Sequence, residues 1–169
     1  MSLTSLLAIS ASATQTVAQD LGTASAPVSV SRSVNLASGT GAGQADRVFH
    51  DRRTLAASAS EDLDLAGSLV DAFGQTITFA RIKGLVVSAA AANTNNVVIG
   101  AAASAPWAAL LGATHTLTLR PGAAVAVMAG EADAAAYVVA ATTADLLKIA
   151  NSGAGSGVTY DIVIIGASA

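Results

Sequence analysis

Short apolar runs, each interrupted by turn-forming residues, dominate the chain from about residue 65 onward. The turn formers recur about every ten residues, a spacing typical of β-sandwiches and barrels. Residues 114–120 show the pattern most clearly, because threonines alternate with leucines there before Pro121-Gly122 turns the chain. The pattern therefore predicts an all-β, jelly-roll-like sandwich or barrel.

The strands of this domain can be placed from the same pattern. We predict strands over residues 76–79, 114–120, 123–128, 137–141, 146–150 and 158–165. Residues 123–128 are expected to pair with 114–120 across the Pro-Gly turn. The alternation along 114–120 puts His115 on the apolar face, together with Leu117 and Leu119. Ile82 is out of phase with residues 76–79, which indicates a β-bulge near Ala80-Arg81. Because the last strand is apolar on both faces, we expect it at a sheet centre or against a neighbouring subunit.

Alanine is abundant and on its own would favour helices. The alanines lie among Val, Thr, Gly and Asn, however, and Glu-to-Lys pairs at helical spacing are almost absent. We interpret them as small side chains that allow close sheet packing and flat subunit contacts. Short helical turns are expected only near residues 61–73 and 105–111.

The first 43 residues differ from the rest, since they are rich in Ser, Thr, Ala and Gly. They end in the run 37–43, Ala-Ser-Gly-Thr-Gly-Ala-Gly, which predicts a flexible connection. We therefore divide the chain into an extended N-terminal arm with a Gly-rich hinge, residues 1–43, and a body, residues 44–169. The first 13 residues also resemble a secretory signal, but they lack a basic segment, so a strand-forming arm is the preferred interpretation.

Composition limits the possible functions. Apolar residues make up 53% of the 169 residues, and eleven acidic against eight basic side chains give a net charge of −3. No basic field is available for a phosphate backbone, so a direct nucleic-acid partner is not expected. Uncharged residues 84–119 are broken by Pro106, Gly112 and an Asn-rich turn, so no membrane span is predicted. A chain so poor in charge is expected to bury surface against partners.

Little in the sequence indicates a catalytic or metal site. The two histidines, His50 and His115, have no metal-ligand spacing, there is no cysteine, and residues 39–43 lack the ending of a phosphate loop. The acidic run 61–64 would suit calcium, but it lacks EF-hand spacing, so a solvated acidic turn or a salt-bridge partner for Arg52 and Arg53 is the preferred interpretation. We expect no enzyme activity, no cofactor, no metal and no small-molecule ligand.

Four residues are candidates for an intermolecular interface. The guanidinium groups of Arg47, Arg52 and Arg53 lie in the most charged part of the chain and suit carboxylates on a neighbour. Trp107 is the only tryptophan and follows Pro106 in a loop-like stretch. It would anchor a subunit or a sugar ring if exposed, whereas a lid over the core is the preferred interpretation.

Several segments of the chain resemble a group of small structural proteins of tailed bacteriophages and prophages. The resemblance covers most of the chain from about residue 41 and lies in the motifs Gly43-Gln-Ala-Asp-Arg47, Asp51-Arg-Arg-Thr-Leu-Ala56, Asp62-Leu-Asp-Leu-Ala-Gly67, Phe79-Ala-Arg-Ile-Lys83, Leu119-Arg-Pro-Gly122 and Tyr160-Asp-Ile-Val-Ile-Ile-Gly-Ala-Ser168. These motifs are packing and turn signatures. The resemblance implies a virion protein made in the bacterial cytoplasm, and jelly-roll-like folds are common in such proteins.

A capsid decoration or cement protein is the function that we expect. It would form a cyclic homo-oligomer such as a trimer and bind between copies of the major capsid protein at the capsid surface. The arm would lie along adjacent subunits and contribute backbone hydrogen bonds. The alternative is a tail or fibre component, either a tail-tube or tail-tip subunit or a module that binds host glycans.

Overall fold

The computed structural model describes residues 2–169, and every regular element in that range is a β-strand. The all-β prediction is therefore confirmed for this part of the chain. The strands are β1 (Ser5–Gln19), β2 (Gly22–Ser38), β3 (Gln44–Ala45), β4 (Arg47–Leu55), β5 (Ser60–Asp64), β6 (Arg81–Ala89), β7 (Val97–Gly100), β8 (Thr116–Leu119), β9 (Ala124–Met128), β10 (Tyr137–Val138), β11 (Leu146–Asn151) and β12 (Val158–Ala167). No helix in residues 2–169 is long and apolar enough to cross a membrane.

Two antiparallel sheets form the body. One has the order β10-β6-β12-β4, with β9 also paired to β6, and the other has the order β5-β11-β7-β8. Eight strands of the body have four or more residues: β4, β5, β6, β7, β8, β9, β11 and β12. When they are numbered 1 to 8 in that order, the first sheet (β4-β12-β6-β9) reads 1-8-3-6 and the second (β5-β11-β7-β8) reads 2-7-4-5. This interleaved order agrees with the predicted jelly-roll-like sandwich, which joins two Greek keys.

One apolar core joins the two sheets. Alternate residues of β12 and β11 point into it, among them Tyr160, Ile162 and Ile149, and all three are fully buried. Strand β12 lies between β4 and β6, as its two apolar faces predict. Its last apolar residues, Ile164 and Ile165, are buried on opposite faces, so the second face also needs a cover.

The predicted strand over residues 76–79 is wrong, although its alternation correctly marks Ile77 and Phe79 as buried. This segment joins no strand ladder: it has an isolated bridge between Val70 and Thr76, and the N–H groups of Ile77 and Phe79 donate to the carbonyls of residues 69 and 65. The bulge also lies further along than predicted. Lys83 has no partner in β12, because Gly84 pairs with Ile165 and Ile82 pairs with Gly166.

The predicted pairing across Pro121-Gly122 is also wrong. Strand β8 pairs with β7, whereas β9 pairs with β6, so the Pro-Gly turn carries the chain from one sheet to the other. The buried Leu119 remains in the core between them. His115 precedes β8 and is exposed, not on the apolar strand face where it was predicted.

Other predicted elements are only partly correct. The strand over residues 137–141 shrinks to β10, whereas those over 146–150 and 158–165 match β11 and β12. Neither predicted helical region forms a helix: residues 60–64 are β5, and residues 108–112 make one turn closed by the Gly112 N–H and the Ala108 carbonyl.

The arm is a hairpin and not a single extended segment. Strands β1 and β2 pair over fifteen residue pairs, from Ser5 opposite Leu36 to Gln19 opposite Gly22, and Asp20-Leu21 forms the turn. The predicted flexible hinge is a hydrogen-bonded loop, because the Ala37 N–H donates to the Gly43 carbonyl and the hinge continues into the β2–β3 pairing.

Candidate interaction surface

The hairpin of β1 and β2 is amphipathic. Directly opposite residues share a face, so the register places Ile9, Ala11, Ala13 and Val17 of β1 on the same side as Ala24, Ala26, Val28 and Val30 of β2. We call these eight residues the apolar face. The other side is dominated by serine and threonine, at positions 10, 12, 14 and 16 of β1 and 23, 25, 29, 31 and 33 of β2.

The base of the hairpin is anchored on the body. Leu7, Val34 and Leu36 are buried in a second core with Ala45 and Ile165, so the hairpin covers the outer face of β12. The approach is close, since a Cβ on Gly84 would lie 2.5 Å from a methyl group of Leu7. Leu7 and Val34 lie on the same side of the hairpin as the apolar face, which therefore continues a surface that the body already buries.

Beyond this anchor the hairpin projects into solvent. Twelve of its fifteen pairs, from Ala8 opposite Ser33 to the turn, contain no buried residue. At 3.4 Å per residue the projection is about 40 Å long. Val17, Val28, Val30 and Leu21 are among the large apolar residues that it exposes. A lone two-stranded ribbon is marginally stable in water, and residues 2–169 supply no cover for the apolar face of this projection.

The two edges of the projecting ribbon are not equivalent. Pro27 has no backbone N–H, yet the β1–β2 register runs through it without a break. The position without an N–H therefore faces the outer edge of β2, so a strand added at that edge would lack one hydrogen bond. The outer edge of β1 has no such interruption and is the better edge for adding a strand from a neighbour.

Two of the predicted interface arginines are paired within the chain on the surface. Arg52 makes a bidentate contact with Asp161, with distances of 2.6 and 2.8 Å, and this contact lowers the pKa of Asp161. Arg47 lies 3.0 Å from the neighbouring Asp46. Both guanidinium groups remain partly exposed, so they are accessible to a neighbour but already have a carboxylate partner.

Arg53 belongs to a more enclosed network. It donates to Glu61 at 2.8 Å through Nε and to Asp51 at 2.8 Å, and the hydrogen bond that it donates to Glu61 raises the pKa of Arg53. The buried Tyr160 hydroxyl donates to the other oxygen of Glu61 at 2.8 Å. Burial and this carboxylate together raise the pKa of Tyr160. The predicted pairing of the acidic run with Arg53 is thus confirmed, whereas Arg52 pairs with Asp161 instead.

Trp107 packs into the core and presents almost no surface to a neighbouring molecule. It is only 6% exposed, its indole N–H donates to the Val138 carbonyl at 2.9 Å, and Tyr137 packs edge-on against it with centroids 6.4 Å apart. It has the role of a lid over the core.

The histidine and acidic side chains do not come together in a metal-binding cluster within residues 2–169: no group of three or more of them has the arrangement of a metal site. An open cleft of about 420 Å³ lies beside the hairpin base and is lined by residues that include Leu3, Val48 and Phe73. Its ionic residues include Asp46 and Arg47, which pair with each other.

No protein-family model, no curated protein and no solved structure matches this chain. The surface must therefore be interpreted from its own geometry. Sequence reasoning missed the amphipathic hairpin because Ser, Thr and Ala are also typical of linkers. The signal was nevertheless present: apart from Gln15 and Arg32, the odd positions from 7 to 17 and the even positions from 24 to 36 are apolar, on either side of Asp20-Leu21-Gly22.

Proposed function

We propose that this protein is a structural component of a bacteriophage virion, most specifically a capsid decoration protein that binds between capsid subunits. The observation that carries the proposal is the projecting hairpin with an apolar face that nothing in residues 2–169 covers. The bacteriophage context comes from the resemblance of the sequence motifs. The geometry contributes a self-contained body and a long arm suited to bridging neighbours.

The body and the hairpin have separate tasks in this proposal. The body has its own core between the two sheets, so it folds without the projecting residues. The hairpin then supplies binding free energy that is greatest in the assembled shell. By mass action, each bound copy shifts the equilibrium away from dissociated or burst capsids.

The arginines have a smaller role than the sequence alone suggested. Arg53 is committed to Glu61 and Asp51, so a neighbour would have to replace existing hydrogen bonds. Arg52 and Arg47 are more exposed and are placed at the rim of an interface. Charges at the rim change the rate of association more than the affinity.

A shortened-hairpin variant tests the proposal. Residues 11–30 are replaced by Asn-Gly, which favours a two-residue β-turn, so that the anchor residues Leu7, Val34 and Leu36 are kept. Tagged wild-type and shortened chains are produced together in bacteria that release the phage particles to which the protein is proposed to belong. We expect only the wild-type chain in purified particles, while both chains have the same melting temperature.

Immunogold labelling then locates the protein. An antibody to the largely exposed loop 152–157 binds at the end of β12 opposite to the hairpin anchor. Gold over the head supports the decoration role. Gold confined to the tail assigns the protein to the tail or fibre, and particles that contain neither chain overturn the proposed virion function.

A further inference from the structure

We propose that the apolar face binds the same face of a second copy of this chain, with the two hairpins antiparallel and Arg32 of each copy beside Asp20 of the other. The inference rests on the proposed function for its setting, a shell in which many copies meet. It names the partner that covers the hairpin. It can be tested on the purified chain alone.

The charge distribution of the hairpin carries the proposal. Asp20 and Arg32 are the only charged residues in the first 45 of the chain. Asp20 is in the turn at the tip, whereas Arg32 lies opposite Ile9 near the anchored end, on the same side as the apolar face. Along the hairpin, Asp20 is eleven residues, or roughly 37 Å, from the Ile9–Arg32 pair, so Asp20 and Arg32 cannot form an ion pair within one hairpin.

The direction of association follows from these two charges. Two parallel hairpins, or a parallel bundle of three, would bring like charges together at both ends of the strip. Two antiparallel hairpins related by a two-fold axis instead place each Arg32 against an Asp20. Opposite charges at both ends fix the register, because a shift along the strands separates both pairs.

The residues between the charges suit this arrangement. The two-fold axis falls between the levels of residues 14 and 15, where Gln15 is the only polar side chain on this face between Ile9 and Val17. The two Gln15 amides meet at the axis and satisfy each other. Alanines and valines flank them, and such small side chains allow two ribbons to stack about 10 Å apart.

The size of the face sets the expected strength. A strip about 40 Å long and about 10 Å wide buries roughly 400 Å² per copy, which is smaller than a standard interface. The isolated pair should therefore be weak and depend on concentration. In a shell the body holds each copy in place, so the effective concentration of neighbouring hairpins makes the same contact strong.

Sedimentation velocity of the full chain tests this proposal. We expect a monomer–dimer equilibrium that shifts to dimer with concentration. Arg32→Asp and Asp20→Arg should each weaken it roughly tenfold, because two ion pairs become like-charge contacts. An equimolar mixture of the two variants should regain wild-type association as a heterodimer. Arg120→Asp, an exposed charge reversal outside the hairpin, should change nothing.

Three results would overturn the proposal: a wild-type chain that is monomeric throughout, a trimer, or a dimer that the charge reversals leave unchanged. Failure here is distinguishable from failure of the proposed function. If the chain stays monomeric but the shortened hairpin is still lost from particles, the hairpin face binds another shell protein instead of its own copy.

Discussion

Replacing Tyr160 with phenylalanine removes a single buried hydroxyl from the core of the sandwich. Tyr160 lies on β12, is fully buried and donates to Glu61 at 2.8 Å. Glu61 keeps its contact with Arg53 after the substitution. The variant therefore isolates one hydrogen bond to a charged acceptor, with no change in the size of the ring.

The size of the effect follows from that acceptor. A hydrogen bond to a charged group contributes about 1.5–3 kcal/mol to folding. The Glu61 side chain is 20% exposed and can take a water molecule in place of the lost hydroxyl. We therefore expect Tyr160→Phe to lower the free energy of unfolding by about 1.5–2 kcal/mol at neutral pH.

The same contact makes stability depend on alkaline pH. The pKa of Tyr160 is raised in the folded chain by burial and by Glu61, whereas a tyrosine in the unfolded chain titrates near pH 10. A raised folded pKa means that the contribution is complete below about pH 10 and is lost as the pH rises further. Between pH 9 and pH 11 the loss is about 1 kcal/mol.

Urea denaturation followed by circular dichroism at pH 7, 9 and 11 measures both effects. The gap in stability between wild type and Tyr160→Phe should narrow from pH 9 to pH 11, because only wild type has this titrating group. Tyr137→Phe is the matched control, since Tyr137 packs on Trp107 outside this network. If the two variants lose equal stability, or if the gap stays constant with pH, the assigned role of the Tyr160–Glu61 contact is refuted.

Three further substitutions test packing and loop structure. In Gly166→Ala the new Cβ would collide with the backbone carbonyl of Arg81, so we expect a loss of about 1–3 kcal/mol in urea denaturation. Gly84→Ala meets only the flexible end of Leu7, so it should cost less and instead speed amide hydrogen exchange in β1; equal costs for both glycines would contradict this. Asn151→Ala removes buried hydrogen bonds to the carbonyls of residues 56 and 156, and a loss of about 2–3 kcal/mol is expected; a wild-type denaturation midpoint would contradict the role of this side chain.

The strands that could be predicted are those whose signal is local. Leu119 and Ile149 alternate with polar or half-buried neighbours, and burial of one sheet face follows directly from that period. Pairing is not local. Nothing in residues 114–128 distinguishes a β-hairpin from a turn that crosses between two sheets, because Pro121-Gly122 serves both.

The candidate surface shows the same limit. Charge content alone predicted that the protein buries surface against partners, and it directed attention to the arginines. In the structure Arg53 and Arg52 satisfy carboxylates of their own chain, and those partners are 8 and 109 residues away. The projecting face became visible only when the register aligned Ala13 with Val28 and Ala11 with Val30.

The position of the C-terminal residues beside the hairpin anchor affects how this protein could carry a foreign peptide. Ser168 is bound to Asp46 through its N–H and hydroxyl, and Arg81 donates to the Ala169 carbonyl at 2.7 Å. A peptide fused after Ala169 would emerge next to the hairpin. Strand β12 spans about 33 Å to the largely exposed loop 152–157 at the opposite end. Peptides inserted in that loop would be displayed away from the hairpin, which makes it the better insertion site.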